Sequence, residues 1–81
     1  MVFLNLIIRK RDGVVFKGDV RSISSVNDRG PFDILSMHTN FVSVIRDRIN
    51  VVKENGQSHN ISISRGIIRV KENQVEIYLG I

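Results

Sequence analysis

Gly30-Pro31-Phe32-Asp33-Ile34-Leu35-Ser36-Met37-His38-Thr39-Asn40-Phe41 stands at mid-chain between runs that read as short β-strands. Pro31 opens a run over Phe32 to Leu35, as a proline does at a strand's first residue, where its missing N–H costs the ladder nothing. Ser36 to Asn40 reads as irregular. Phe41 to Ile45 fits either one helical turn or a strand, and propensity does not choose between them.

Toward the N-terminus the period is two rather than 3.6. Leu4, Leu6 and Ile8 alternate with Asn5, Ile7 and Arg9, which makes a first strand. Asp12-Gly13 signals a tight turn, because glycine accepts positive φ. Val14 to Phe16 reads as a second strand, and Gly18 permits a bend. Asp19 to Val26 reads as a third. Its apolar Val20, Ile23 and Val26 recur every third residue, which suits a helix or a bulged strand. Ser22, Ser24 and Ser25 disfavour the helix and leave the bulged strand. Asn27 to Gly30 is a polar loop.

Toward the C-terminus, Ile49–Glu54 and Ser58–Ile63 flank Asn55-Gly56, the strongest hairpin signal in the chain. Ile67–Val70 and Val75–Leu79 flank Glu72-Asn73 as a second hairpin. Short strands at close spacing, with no helical run of ten residues or more, predict an all-β fold. The expected form is a small β-sandwich of about eight to ten short, mainly antiparallel strands in one domain, residues 1–81.

The chain has 81 residues, no cysteine and a formal net charge of +4. Without cysteine there is no disulfide and no thiolate metal site. No apolar run approaches the ~20 residues of a membrane helix. The apolar start precedes its basic residues, the reverse of a signal peptide, so a soluble chain is expected. A domain this short buries only about 60% of its unfolded surface. A partner that binds only the folded form would therefore add usefully to its stability. The basic balance admits nucleic acid, anionic lipid or an acidic protein surface and selects none. Arg9-Lys10-Arg11 reads as a solvated hairpin turn.

Little in the sequence supports catalysis. His38 and His59 lie apart with no acidic residue at ligand spacing, whereas a catalytic metal normally takes three protein ligands. None of the serines sits in a Gly-x-Ser-x-Gly elbow. The six glycines are single and dispersed, so no phosphate loop exists. No enzymatic activity, metal or cofactor is expected. A small basic barrel binding single-stranded nucleic acid is the competing reading. It suffers from few rings: Phe3, Phe16, Phe32 and Phe41 sit in apolar contexts that read as core, and Tyr78 alone reads as outward. Asn60 to Gly66 is reminiscent of the N-x-S-x-x-G loop of PilZ domains, but Gly66 comes one residue late and Arg65 and Arg69 lie on the wrong side of the loop.

Several segments taken in order resemble the N-terminal β-sandwich of the ε subunit (δ in mitochondria) of F-type ATP synthases. Gly30 to Phe41 is similar to that family's G-x-F-G-I-L-P-G-H-A-P-L. The opening strand with Val14-Val15-Phe16-Lys17-Gly18, the segment Asp19 to Val26, and the tail Ser64 to Leu79 match further family patterns. The resemblance implies a non-catalytic rotor subunit on the central stalk, bridging the γ subunit and the c-ring. It would reach the membrane only through the complex, on the cytoplasmic face, and bind no nucleic acid directly. Carried over by position, Asp28, Arg29, Gly30, Pro31 and Phe32 become c-ring contact candidates, and His38 a γ contact candidate.

The chain also departs from the family. Asp33 and Met37 replace two glycines of G-I-L-P-G-H, which removes easy access to positive φ and predicts a different loop path. Arg46-Asp47-Arg48 stands where relatives have a K-P-G turn. Relatives continue into a C-terminal helical hairpin that regulates ATP hydrolysis. The resemblance here stops at Ile81, so neither helical inhibition nor ATP binding is expected of these residues.

Overall fold

The computed structural model describes residues 3–80, and Met1, Val2 and Ile81 lie outside the described residues. Six strands follow one another: β1 (Leu4–Lys10), β2 (Gly13–Asn27), β3 (Gly30–Leu35), β4 (Phe41–Lys53), β5 (Ser58–Lys71) and β6 (Gln74–Leu79). Their order is β1-β6-β5-β4-β2-β3, with β1 also paired to β2, so the ladder closes on itself and β3 hangs from β2. β1 and β6 run parallel. The other pairs are antiparallel.

The all-β class and the small sandwich hold, but the strand count does not: among the described residues there are six, not eight to ten. β2, β4 and β5 are 15, 13 and 14 residues long. Each joins two runs that read as separate in the sequence, Phe41–Ile45 among them as either a helical turn or a strand. Val14–Phe16 and Asp19–Val26 are both β2, Phe41–Ile45 and Ile49–Glu54 fall in or beside β4, and Ser58–Ile63 and Ile67–Val70 are both β5. The expected bend at Gly18 is absent. The hydrophobic phase breaks inside these strands because they carry irregularities, and a phase break looks like a strand end.

Each break has a residue. In the β4–β5 ladder Arg46 faces Arg65 while Asp47 faces Ile63, so Ser64 is the extra residue of β5. The slip moves the inward face from Ile61 and Ile63 to Gly66, Ile68 and Val70. In the β2–β4 ladder Val20 faces Lys53 and Ser22 faces Val52, which makes Arg21 the extra residue. This is the bulge that the three-residue spacing in β2 implied, and it lets Val20 and Ile23 both point inward. Asp47, in the segment matching the family's K-P-G turn, stays within β4 and takes φ 72.

The bent strands sort the pairings into two layers. One contains β1, β6, the first part of β2, the first part of β4 and the last part of β5. The other contains β3 with the remaining parts of β2, β4 and β5. A single cluster fills the space between them, with Leu4, Leu6, Ile8, Ile68, Val75 and Ile77 from the first and Ile23, Ile34, Ile49 and Val51 from the second. Phe16, Phe32 and Phe41 pack against it, half-buried, as their apolar contexts implied. Ser25 is the buried polar side chain of the core. Its hydroxyl donates to the Arg48 carbonyl at 2.7 Å, the group left out where β4 slips against β2.

Both C-terminal hairpins form where expected. At Asn55-Gly56, Gly56 takes φ 90, and the Gly56 N–H donates to the Lys53 carbonyl at 2.9 Å. Glu72 and Asn73 take φ 51 and 63, the doubly left-handed geometry of a two-residue hairpin loop. Between β1 and β2 the turn residues are Arg11 and Asp12, with Gly13 already paired to Lys10.

Candidate functional site

The β2–β3 turn presents Asp28 and Arg29 to solvent at one end of the molecule. Asn27 and Gly30 close it as a pair, and the Arg29 N–H donates to Asn27 Oδ1 at 2.9 Å. Gly30 supplies φ 111, a value that disfavours any side chain. Asn27 Nδ2 in turn donates to Ser43 Oγ at 3.2 Å and ties the turn to β4. Pro31 is exposed on β3, an edge strand, where its missing N–H leaves no ladder bond unmade. Phe32 is half-buried and packs against the core. Asp28 also borders a shallow depression of about 300 Å³ shared with Val44, Ile45, Arg46, Ser64 and Arg65.

His38 lies beyond the far end of β3. Its N–H donates to the Leu35 carbonyl at 3.2 Å, and its ring Nδ1 is 2.7 Å from the Thr39 carbonyl. A carbonyl only accepts, so Nδ1 carries the proton when the ring is neutral. The departure at Met37 does not open the loop. Met37 takes φ 65, the left-handed conformation that a glycine adopts without strain, and Asp33 lies in extended β3 where none is needed. Asn73 holds the strained residue by accepting the Met37 N–H on Oδ1 at 2.7 Å, and its own carbonyl accepts the Asn5 N–H at 2.8 Å. The β5–β6 turn thus fixes both the His38 loop and the start of β1.

Phe41 joins the two candidate groups. Its ring centroid lies 5.5 Å from that of Phe32 and 5.7 Å from that of His38, the latter edge-on. Displacement of the His38 loop therefore meets the same ring that backs Phe32. From sequence Phe41 reads only as core, because the spacing of rings 9 residues apart is set by tertiary packing alone.

A second feature escaped the sequence reading. Val42, Val44 and Tyr78 are exposed on the outer side of the first layer, with Tyr78 outward as expected. The alternation of Val42 and Val44 with inward Phe41 and Ile45 carried the signal, but it needed Phe41–Ile45 to be a strand.

Residues 3–79 match the family model described as ATP synthase, Delta/Epsilon chain, beta-sandwich domain. The ATP synthase epsilon chain of Nitratiruptor sp. is 32% identical over 72 residues, covering 88% of this chain and 56% of the relative. That of Helicobacter acinonychis is 27% identical over 77 residues, covering 95% of this chain and 63% of the relative. Among solved structures, a chain of the Euglena gracilis mitochondrial ATP synthase, imaged with its c-ring in one rotational state, superposes with a TM-score of 0.90 at 21% identity. It is covered over 51% of its length, against 98% of this chain. A chain from the central stalk and c-ring of the Tetrahymena thermophila enzyme gives 0.78 at 13% identity, over 94% of this chain and 62% of that one. These structural likenesses establish the fold. The chain spans between half and two thirds of the length of these relatives. With the family model matched from Phe3 to Leu79, the chain belongs to the ATP synthase delta/epsilon chain β-sandwich family.

Proposed function

We propose that this chain serves as a non-catalytic central-stalk (rotor) subunit of an F-type ATP synthase, bridging the γ subunit and the c-ring so that ion-driven rotation is coupled to ATP synthesis. The observation that carries the reading is the family match over residues 3–79. Supporting it, β2, β4 and β5 each run through both layers, so a load on one layer passes along covalent backbone into the other. A coupling element needs such stiffness and matched surfaces rather than a reactive group. In this reading Asp28, Arg29, Gly30, Pro31 and Phe32 form the c-ring side and His38 borders the γ side. The chain then sits on the cytoplasmic face of the membrane, attached only through the complex.

Calorimetric titration of the chain into its cognate γ subunit at moderate salt tests this, with a single-stranded RNA as parallel titrant. Saturable binding to γ near one-to-one with RNA silent is the expected result. Silence with γ and salt-sensitive RNA binding would instead assign the fold to nucleic acid, since phosphate contacts weaken steeply as salt rises.

A further inference from the structure

The sheet edges of the sandwich are not protected alike. Along β3, Pro31 lacks an N–H, Asp33 carries a charge, and the Leu35 carbonyl already accepts the His38 N–H at 3.2 Å. The first part of β2, with exposed Val14 and Val15, carries Lys17, Asp19 and Arg21. The first part of β4, with exposed Val42 and Val44, is met by the β2–β3 turn, where Asn27 Nδ2 donates to Ser43 Oγ at 3.2 Å. Proline, charge and a covering loop are the means by which native sheets keep their edges from pairing.

The first part of β5 has none of these. β6 pairs with Gly66 to Lys71, and the Gly80 N–H reaches the Arg65 carbonyl at 3.3 Å. Ahead of that point, Ser58 to Ile63 pairs with β4 on one flank and with no described residue on the other. The stretch Ser58-His59-Asn60-Ile61-Ser62-Ile63-Ser64 holds no proline, lysine, arginine or carboxylate. Its open groups follow from the ladder. The Lys53 N–H donates to the Gln57 carbonyl at 2.8 Å, and the register runs unbroken from Val52–Ser58 to Asp47–Ile63. Bonded and non-bonded pairs alternate in an antiparallel ladder, so His59, Ile61 and Ile63 bond to β4. The backbone N–H and C=O groups of Ser58, Asn60 and Ser62 then point to the open flank.

We propose that this edge pairs with the same edge of a second copy of the chain, antiparallel about a two-fold axis at Asn60. In that register Ser58 faces Ser62 of the second copy and Asn60 faces its counterpart, so every open backbone group of the stretch finds a partner. The side chains fit the same axis. Asp33, Ser24, Asn50 and Asn60 form one cross-strand row on the outer face. Ser24 Oγ donates to Asp33 Oδ1 at 2.6 Å, and Asn50 Nδ2 to Asn60 Oδ1 at 2.7 Å. Asn60 ends that row at the open edge, where its own Nδ2 meets Asn60 Oδ1 of the second copy. On the inner face, half-buried Ile61 and Ile63 gain cover. Arg48, opposite Ser62, and Arg65, beyond Ser64, lie toward one end of the stretch, so the axis carries them away from their copies. An uncharged edge offers nothing to nucleic acid or an anionic surface. β3, with Asp28 to Phe32 at its start, lies at the other edge of this layer, so the pairing is independent of the stalk reading.

The test is sedimentation equilibrium of the chain from micromolar to millimolar concentration, joined to amide hydrogen exchange at both ends of that range. A ladder this short falls below the ~1,200 Å² of a stable interface, so half-dissociation is expected near about 0.1–1 mM. Protection that grows with concentration is expected at the Ser58, Asn60 and Ser62 amides. Asn60→Asp still accepts from Asn50 but sets two carboxylates against each other at the axis, and should weaken the dimer at least tenfold. Leu35→Asp makes the same charge change on the outer face of β3 and should alter it less than twofold. Asn60→Asp should melt no lower than the parent; should it do so, Asn60→Lys replaces it with the same tenfold expectation. A parent chain that stays monomeric at millimolar concentration overturns the proposal. So do equal losses from the two variants, or assembly beyond a dimer.

Discussion

Asn73 accepts the Met37 N–H on its side-chain oxygen at 2.7 Å, across 36 residues of chain, and both residues are left-handed, with φ 63 and 65. Two locally unfavourable turns are thereby coupled. Removing the acceptor in Asn73→Ala should destabilise the fold by about 1–2 kcal/mol, one lost hydrogen bond plus a residue less tolerant of that backbone. Asn73→Asp keeps the acceptor and should recover most of the loss. Urea unfolding of the three proteins decides it, and equal midpoints would show that the contact carries no stability.

Met37 is 79% exposed and buries little, so its side chain contributes mainly strain at φ 65. Met37→Gly relieves about 1–2 kcal/mol of left-handed strain, offset by about 0.5–1 kcal/mol of added chain entropy. A net gain of about 0.5–1 kcal/mol, visible as a higher melting temperature, is expected.

Gly66 faces inward with no room for a side chain. A Cβ there would sit 2.9 Å from the Tyr78 carbonyl oxygen and 3.0 Å from Leu79 Cδ2. The first of these is backbone, so Gly66→Ala must push β6 from β5 and should cost about 1–3 kcal/mol. Denaturant titration against the parent measures it.

Ser25→Ala removes the donor to the Arg48 carbonyl inside the core and should cost about 1–2 kcal/mol. Faster amide exchange in β4 around residues 46–50, with β1 and β6 unchanged, would locate the effect at the irregularity.

Tyr78 Oη donates to Glu76 Oε2 at 2.8 Å, and this bond, with desolvation and the Glu76 charge, raises the phenol above its ordinary 10.0 against the pull of Arg9 and Arg69. The fold thus favours the protonated phenol. Its contribution is complete below the unfolded pKa near 10 and is lost as pH rises through the higher folded value. Tyr78 is the single tyrosine, so phenolate absorbance reads it alone. The parent should titrate above 10.0 and Glu76→Gln lower than the parent.

Where inward and outward residues alternate without interruption, as in Leu4-Asn5-Leu6-Ile7-Ile8, the strand was legible residue by residue. Both C-terminal hairpins were legible too, because their turn chemistry is local. The continuity of β2 through Gly18, where the ladder is regular, was hidden because glycine also permits a bend, and the joins at Asp47 and Ser64 were hidden by irregularities. A bulge and a chain reversal break the hydrophobic phase in the same way, and only the partner strand distinguishes them. Among the candidate contacts, exposure of Asp28 and Arg29 follows from their polar turn. The shared backing by Phe41 and the facing arginines at 46 and 65 depend on register, which no single segment encodes.

The parallel pairing of β1 with β6 also sets the order in which the molecule can be completed. The hairpins β1–β2, β2–β3, β4–β5 and β5–β6 join neighbours in sequence, whereas Asn5 meets Gln74 only when the segment through β6 has been made. On a ribosome, one flank of β1 remains open until β6 has emerged, and an open apolar strand edge invites mispairing. Closing a loop of that span is slow, so the last ladder to form should limit the folding rate. Emergence of β6, rather than any single hairpin, is then the moment at which this domain acquires its shape.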